Sequence, residues 1–96
     1  MTIRHLALFN LKSDDAGELE AAMAGLRDLP NQISTIRDFS LTPDLGNRPA
    51  SMGFCLICYF NDMAEMEAYL SHPAHVAAVA KVAPLITQLA EHDHEV

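Results

Sequence analysis

Tyr69, Leu70, Ser71, His72, Pro73, Ala74 and His75 carry a phenol and two imidazoles within seven residues. An imidazole titrates near neutral pH and can take up or release a proton in a reaction. A phenol stays protonated and can donate a hydrogen bond to an oxygen on which charge develops. Two other groups invite chemistry. Cys55-Leu56-Ile57-Cys58 has CxxC spacing, and His92-Asp93-His94 sets two imidazoles two residues apart.

The backbone must position these groups. Pro73 has no N–H and fits the first turn of a helix, so it opens a new one. His72 precedes it, is biased towards an extended conformation, and lies in the joint, where it caps or buttresses the second helix. His75 falls in the first turn, four and seven residues before Val79 and Val82, and shares their apolar face. Tyr69 ends the preceding helix at the edge of a Met63, Met66, Leu70 stripe. The spacing therefore predicts a pocket holding Tyr69 and His75. The cysteines lie inside an apolar, β-branched and aromatic run, where side chains alternate between faces. Residues three apart point to opposite sides, so the two thiols neither pair nor share a metal and read as core.

The chain has 96 residues, half of them hydrophobic and a fifth charged, with a net charge of −7. That length holds one core, and residues 1–96 read as a single domain. The acidic balance excludes non-specific nucleic-acid binding and docking on anionic membrane surfaces. No apolar run approaches ~20 residues, so no spanning helix is expected. The first residues enter a strand pattern without the apolar stretch of a secretory signal, and a cytoplasmic address is expected.

Ile3 to Lys12 reads as a strand with Ile3, His5, Ala7, Phe9 and Leu11 on one face, and with Leu6 and Leu8 apolar on the other. Ser13 or Asp14 is expected to cap a helix to about Leu29, with the stripe Leu19, Ala22, Met23, Leu26, ended by Pro30 and Asn31. A second strand is expected over Ile33 to Leu41, a loop over Thr42 to Ser51, and a third strand over Met52 to Phe60. Asp62 with Glu65 opens a helix to Ser71. Pro84 kinks or ends the helix begun at Pro73, and Gln88 to Val96 forms a polar fourth strand. The order β-α-β-β-α-β is the α+β, ferredoxin-like sandwich, a four-stranded antiparallel sheet with helices on one face. Leu6, Leu8, Cys55, Ile57 and Tyr59 then form an uncovered apolar face. A second copy covering it predicts a homodimer through the open sheet face.

Arg4-His5-Leu6, Phe60-Asn61-Asp62 and the segment from Tyr69 to Val76 resemble the stress-responsive α/β-barrel (Dabb) family over nearly the whole chain. The resemblance implies two sheets closing into a dimeric α/β barrel. The best-understood chemistry in that family is a plant cyclase that closes a linear polyketide acid. Carried over, His75 would be the general base and Tyr69 the hydrogen-bond donor to the substrate oxygen. His5 would stand in the pocket as another histidine, and Ala7, Phe9, Met23, Leu26, Leu56 and His72 are expected to join it in binding a substrate. Ala22, Met23 and Leu26 stand where that cyclase has bulky aromatics. No cofactor and no resident metal is implied.

Three functions fit these residues. The first is a small homodimeric binding protein with a pocket for an apolar or aromatic acid ligand. In it His75 packs against Tyr69 or His5 and performs no chemistry. The second is a cofactor-independent cyclase or lyase using His75 and Tyr69. The third is a divalent-metal binder through His92 and His94, with His5 approaching from the neighbouring strand. Nothing identifies a haem ligand.

Overall fold

The computed structural model describes residues 1–96. Strand β1 (Ile3–Leu11) is followed by helix α1 (Ala16–Arg27), a short helix α2 (Leu29–Gln32), β2 (Arg37–Pro43), β3 (Phe54–Phe60), α3 (Met63–Ser71), α4 (Pro73–Val82), a 3₁₀ turn (Ala83–Leu85) and β4 (Ile86–Glu95). The sheet order is β2-β3-β1-β4, with every neighbour antiparallel. This is the ferredoxin-like fold expected, with its second helix broken in two at His72-Pro73. No helix is long and apolar enough to cross a membrane.

Period-two alternation sorts the sheet into two faces. On β1 the buried residues are Ile3, His5, Ala7 and Phe9, and on β3 they are Phe54, Leu56, Cys58 and Phe60. They pair directly across the two strands, Ile3 with Phe60 and Phe9 with Phe54, whose rings stack at 4.5 Å. The helices cover this face with Ala22, Met23 and Leu26 of α1, Met66 and Tyr69 of α3, and Ala78 and Val82 of α4. The opposite face carries Leu6, Leu8, Cys55, Ile57 and Tyr59, all half-buried, and the sheet stays open within one chain. Cys58 is completely buried under the helices and Cys55 sits on the open face, so the CxxC spacing is packing and both thiols are free.

The elements depart from expectation at their ends. Helix α1 is capped by Asp15, whose carboxylate accepts from Gly17 N and Glu18 N at 2.7 and 3.2 Å. Ser13 does not cap it, because its hydroxyl accepts from Asp15 N instead. Pro30 does not stop a helix but lies in the first turn of α2, where its missing N–H costs nothing. Ile33 is not in a strand; it closes α2 and is 4 % exposed, anchoring that turn in the core. Strand β2 therefore starts at Arg37, and its edge position accommodates Pro43. A bulge between Arg37 and Ser40 holds Asp38 at φ 48°, in the left-handed region. Asp62 caps α3 through Glu65 N at 2.8 Å, and His72 caps α4, both as expected from the sequence.

Candidate active site between the helices and the sheet

A cavity of about 130 Å³ lies under α4, between helices and sheet. Its walls are His5, Ala7 and Phe9 of β1, Leu26 of α1, Leu56 of β3, Tyr69, His75, Val79 and Val82 of the helical pair, and Ile86, Leu89 and Glu91 at the end of the chain. Nine of these twelve are hydrophobic, so the few polar groups sit among largely apolar walls.

Tyr69 is not at the edge of its helix stripe but at its centre, 1 % exposed. The break at His72-Pro73 turns α4 back so that His75 lies over the phenol, ring centroids 4.5 Å apart at 55°. His5 meets the same ring edge-on at 5.7 Å, and Phe60 supports it at 5.1 Å. The phenol hydroxyl makes no hydrogen bond within the protein and is not sealed off, so it opens on the cavity. Burial pushes the Tyr69 hydroxyl well above the usual phenol range, and the nearby Cys58 thiol and Glu91 carboxylate oppose a second ionisation there. It is therefore a donor, not a phenolate, at neutral pH.

His75 Nδ1 lies 3.0 Å from the carbonyl oxygen of Leu70. A carbonyl only accepts, so Nδ1 carries the proton and Nε2 keeps its lone pair. Burial lowers the His75 pKa, with the charge of His5 acting the same way; the Leu70 carbonyl and Glu91 oppose it. The ring is thus held neutral and in the tautomer that makes Nε2 a base. His5 is the one buried polar residue of the chain, 2 % exposed. Its Nδ1 is 2.5 Å from Asp93 Oδ1, which lies opposite it in the β1–β4 register. With Nδ1 engaged there, Nε2 is the remaining polar atom of His5.

Of the residues expected to line a pocket, His5, Ala7, Phe9, Leu26 and Leu56 lie on the cavity wall together with Tyr69 and His75. Met23 and His72 do not. Met23 is buried in the α1 contact with the core, and His72 turns its Nδ1 back to accept from Ala74 N at 3.0 Å. Val79 and Val82 were on the same face as His75 by spacing. Glu91 and Asp93 were hidden by the polar look of the last strand. The antiparallel placement of that strand beside β1 was the signal that places acidic residues opposite Ala7 and His5. His92 and His94 lie opposite Leu6 and Arg4 on the open face, so His5, on the helix face, cannot join them. No group of three or more metal-ligating side chains exists in the chain.

An uncharacterized protein of Streptomyces coelicolor is 33% identical over 81 residues, 81% of this chain and 84% of its own. The solved structure of a dimeric ferredoxin-like protein of unknown function from Thermobifida fusca superposes with a TM-score of 0.86 at 27% identity, over 100% of this chain and 92% of that one. A hydroxynitrile lyase from Passiflora edulis shares the fold, with a TM-score of 0.83 at 15% identity over 97% of this chain and 91% of the lyase. The family model of the stress responsive A/B barrel domain matches residues 3–96. With that match across almost its whole length, the chain belongs to the stress responsive A/B barrel domain (Dabb) family.

Proposed function

We propose that residues 1–96 act as one domain of a homodimer, packed through the open sheet face, that binds a small apolar molecule bearing an oxygen function beside Tyr69. One observation carries this reading. Three polar atoms with unused hydrogen-bonding capacity, Tyr69 Oη, His5 Nε2 and His75 Nε2, belong to residues lining one cavity whose walls, Glu91 apart, are otherwise apolar. Pure packing would leave no reason for that concentration. A cavity of about 130 Å³ is near the size that takes up benzene (~150 Å³) and well below drug-sized pockets. The ligand is thus one ring or a short branched chain. Glu91 on the wall favours a neutral carbonyl or hydroxyl compound over a carboxylate. The dimer rests on the apolar open face and on the dimeric Thermobifida fusca relative.

A second reading is favoured by the tautomer of His75. A neutral imidazole with a free Nε2 next to an un-ionised phenol is the pair needed for proton transfer at carbon or oxygen. His75 would take a proton from the carbon beside a carbonyl while the Tyr69 hydroxyl donates to the enolate oxygen formed. The protonated His75 would then return that proton to the substrate at another carbon or at the oxygen, and His5 Nε2, its ring held by Asp93, would accept a hydrogen bond from the substrate. No cofactor enters these steps.

The test is an NMR titration of the imidazoles, in wild type and in Tyr69→Phe, with benzaldehyde, benzyl alcohol and benzoate. His75 should titrate below the ordinary histidine value and respond to saturating benzaldehyde or benzyl alcohol, more weakly in Tyr69→Phe. An imidazole that none of the compounds moves sinks the binding reading, and the enzyme reading with it.

A further inference from the structure

On the open face of β4, away from the cavity, His92 and His94 stand two residues apart with ring centroids 5.3 Å apart at 47°. With Zn–N bonds of about 2.0–2.1 Å and tetrahedral angles, two imidazoles on one ion sit with centroids about 5 Å apart. The rings are already at chelating separation without any movement of the strand. His94 Nδ1 is also the one buried side-chain nitrogen or oxygen of the chain without a hydrogen-bond partner. A native buried polar atom left unsatisfied asks for a ligand from outside the chain. A half-turn of the ring about Cβ–Cγ exchanges that nitrogen with a carbon, so the ring can offer a lone pair on either edge.

The surroundings accept a cation. Arg4 is the strand neighbour of His94, but its guanidinium is turned away. Its Nε donates to the Tyr59 hydroxyl at 3.1 Å and the group lies 5.5 Å from that ring's centroid, on the far side of β1. The net charge of −7 favours cations over the whole surface. Because β4 is an edge strand and His92 is exposed, an ion reaches the pair from solvent.

We propose that His92 and His94 form a two-imidazole chelate for a borderline divalent transition-metal ion, Zn²⁺, Ni²⁺ or Cu²⁺, on the rim of the open sheet face. Imidazole suits these ions and leaves Mg²⁺ and Ca²⁺ unbound. Water, or donors of a second copy, completes the shell. The site is independent of the cavity, since His5 and Asp93 point to the other face.

Zinc titration of the untagged protein by calorimetry, with the imidazole NMR signals followed in parallel, tests this. One Zn²⁺ per chain should bind saturably, shifting His92 and His94. His92→Gln and His94→Gln should each weaken it by no less than the roughly 10- to 100-fold lost with an outer-shell partner of a metal ligand. His5→Gln should leave the zinc affinity unchanged, and Mg²⁺ should not compete. His92 is exposed, so His92→Gln keeps the fold and gives a reading even where His94→Gln does not. Absence of saturable binding, or equal affinity in His92→Gln and wild type, overturns the proposal.

Discussion

Replacing Tyr69 by Phe removes one oxygen from a residue that is 1 % exposed and packed against His5, Phe60 and His75. The ring contacts survive, so no cavity cost of the kind that follows truncation to Ala, about 3–5 kcal/mol for a large aromatic, arises. The hydroxyl makes no hydrogen bond in the protein, so the usual loss of about 0.5–1.5 kcal/mol per bond does not apply either. What remains is the cost of burying a hydroxyl, about 1–3 kcal/mol when nothing compensates it, reduced here because the group opens on the cavity. Tyr69→Phe should therefore be neutral or stabilising by up to about 1 kcal/mol. For a domain of this size that is a melting temperature unchanged or raised by up to roughly 4–8 °C. The assay is thermal unfolding of both proteins at one concentration, because a dimer's midpoint depends on it. The same scans with benzaldehyde should show less ligand stabilisation in the variant. A structural tyrosine behaves in the opposite way. A fall of more than about 1 kcal/mol would refute the claim that this hydroxyl is reserved for something the chain itself does not supply.

Two other outcomes follow from the faces of the sheet. Ile57→Glu sets a carboxylate at the centre of the open face, directly opposite Leu6. In the proposed two-fold interface the charge would appear twice, and sedimentation should show dimer for wild type and monomer for the variant; a persistent dimer in the variant would place the interface elsewhere. With a thiol-specific reagent at mildly alkaline pH, Cys58 should stay unmodified in the folded protein. Burial, with the Asp93 carboxylate adding, pushes its pKa up to about 12. Cys55, also raised by burial, should react slowly, both should react after unfolding, and rapid labelling of Cys58 would contradict the packing described.

The sequence displayed the fold wherever a local rule and the core agreed. Alternation on β1 and β3, the caps at Asp62 and His72, and Pro73 opening α4 are each decided within a few residues. It misled where an apolar residue served a turn. Ile33 looks like the start of a strand, yet it is buried as the end of α2, and only the tertiary core decides that. Pro30 looked like a stop because a missing N–H has two uses, ending one helix and starting the next. Of the cavity, the Tyr69–His75 half was legible because it is built from one segment of seven residues spanning two helices. The His5–Asp93 half joins residues 88 apart and depends on the β1–β4 register, which no local pattern encodes.

That register also explains how one polar strand serves two surfaces. Along β4, Leu89, Glu91 and Asp93 turn towards the helices, and Ala90, His92 and His94 towards the open face. Read as a string, Glu91-His92-Asp93-His94-Glu95 looks like a solvated tail. In the sheet it splits by period two into an acidic row and an imidazole row. The acidic row fixes His5 and faces the cavity, and the imidazole row sets two rings 5.3 Å apart. A strand inside the sheet could not carry so many charges on both sides, but an edge strand can, and charged edges also discourage uncontrolled strand addition. Exchanging His92 with Asp93 would therefore do more than shuffle charge. It would put an imidazole against His5 and a carboxylate beside His94 on the open face, and should weaken zinc binding and remove the His5–carboxylate contact together. Loss of only one of them would show that the two faces are not set by register alone.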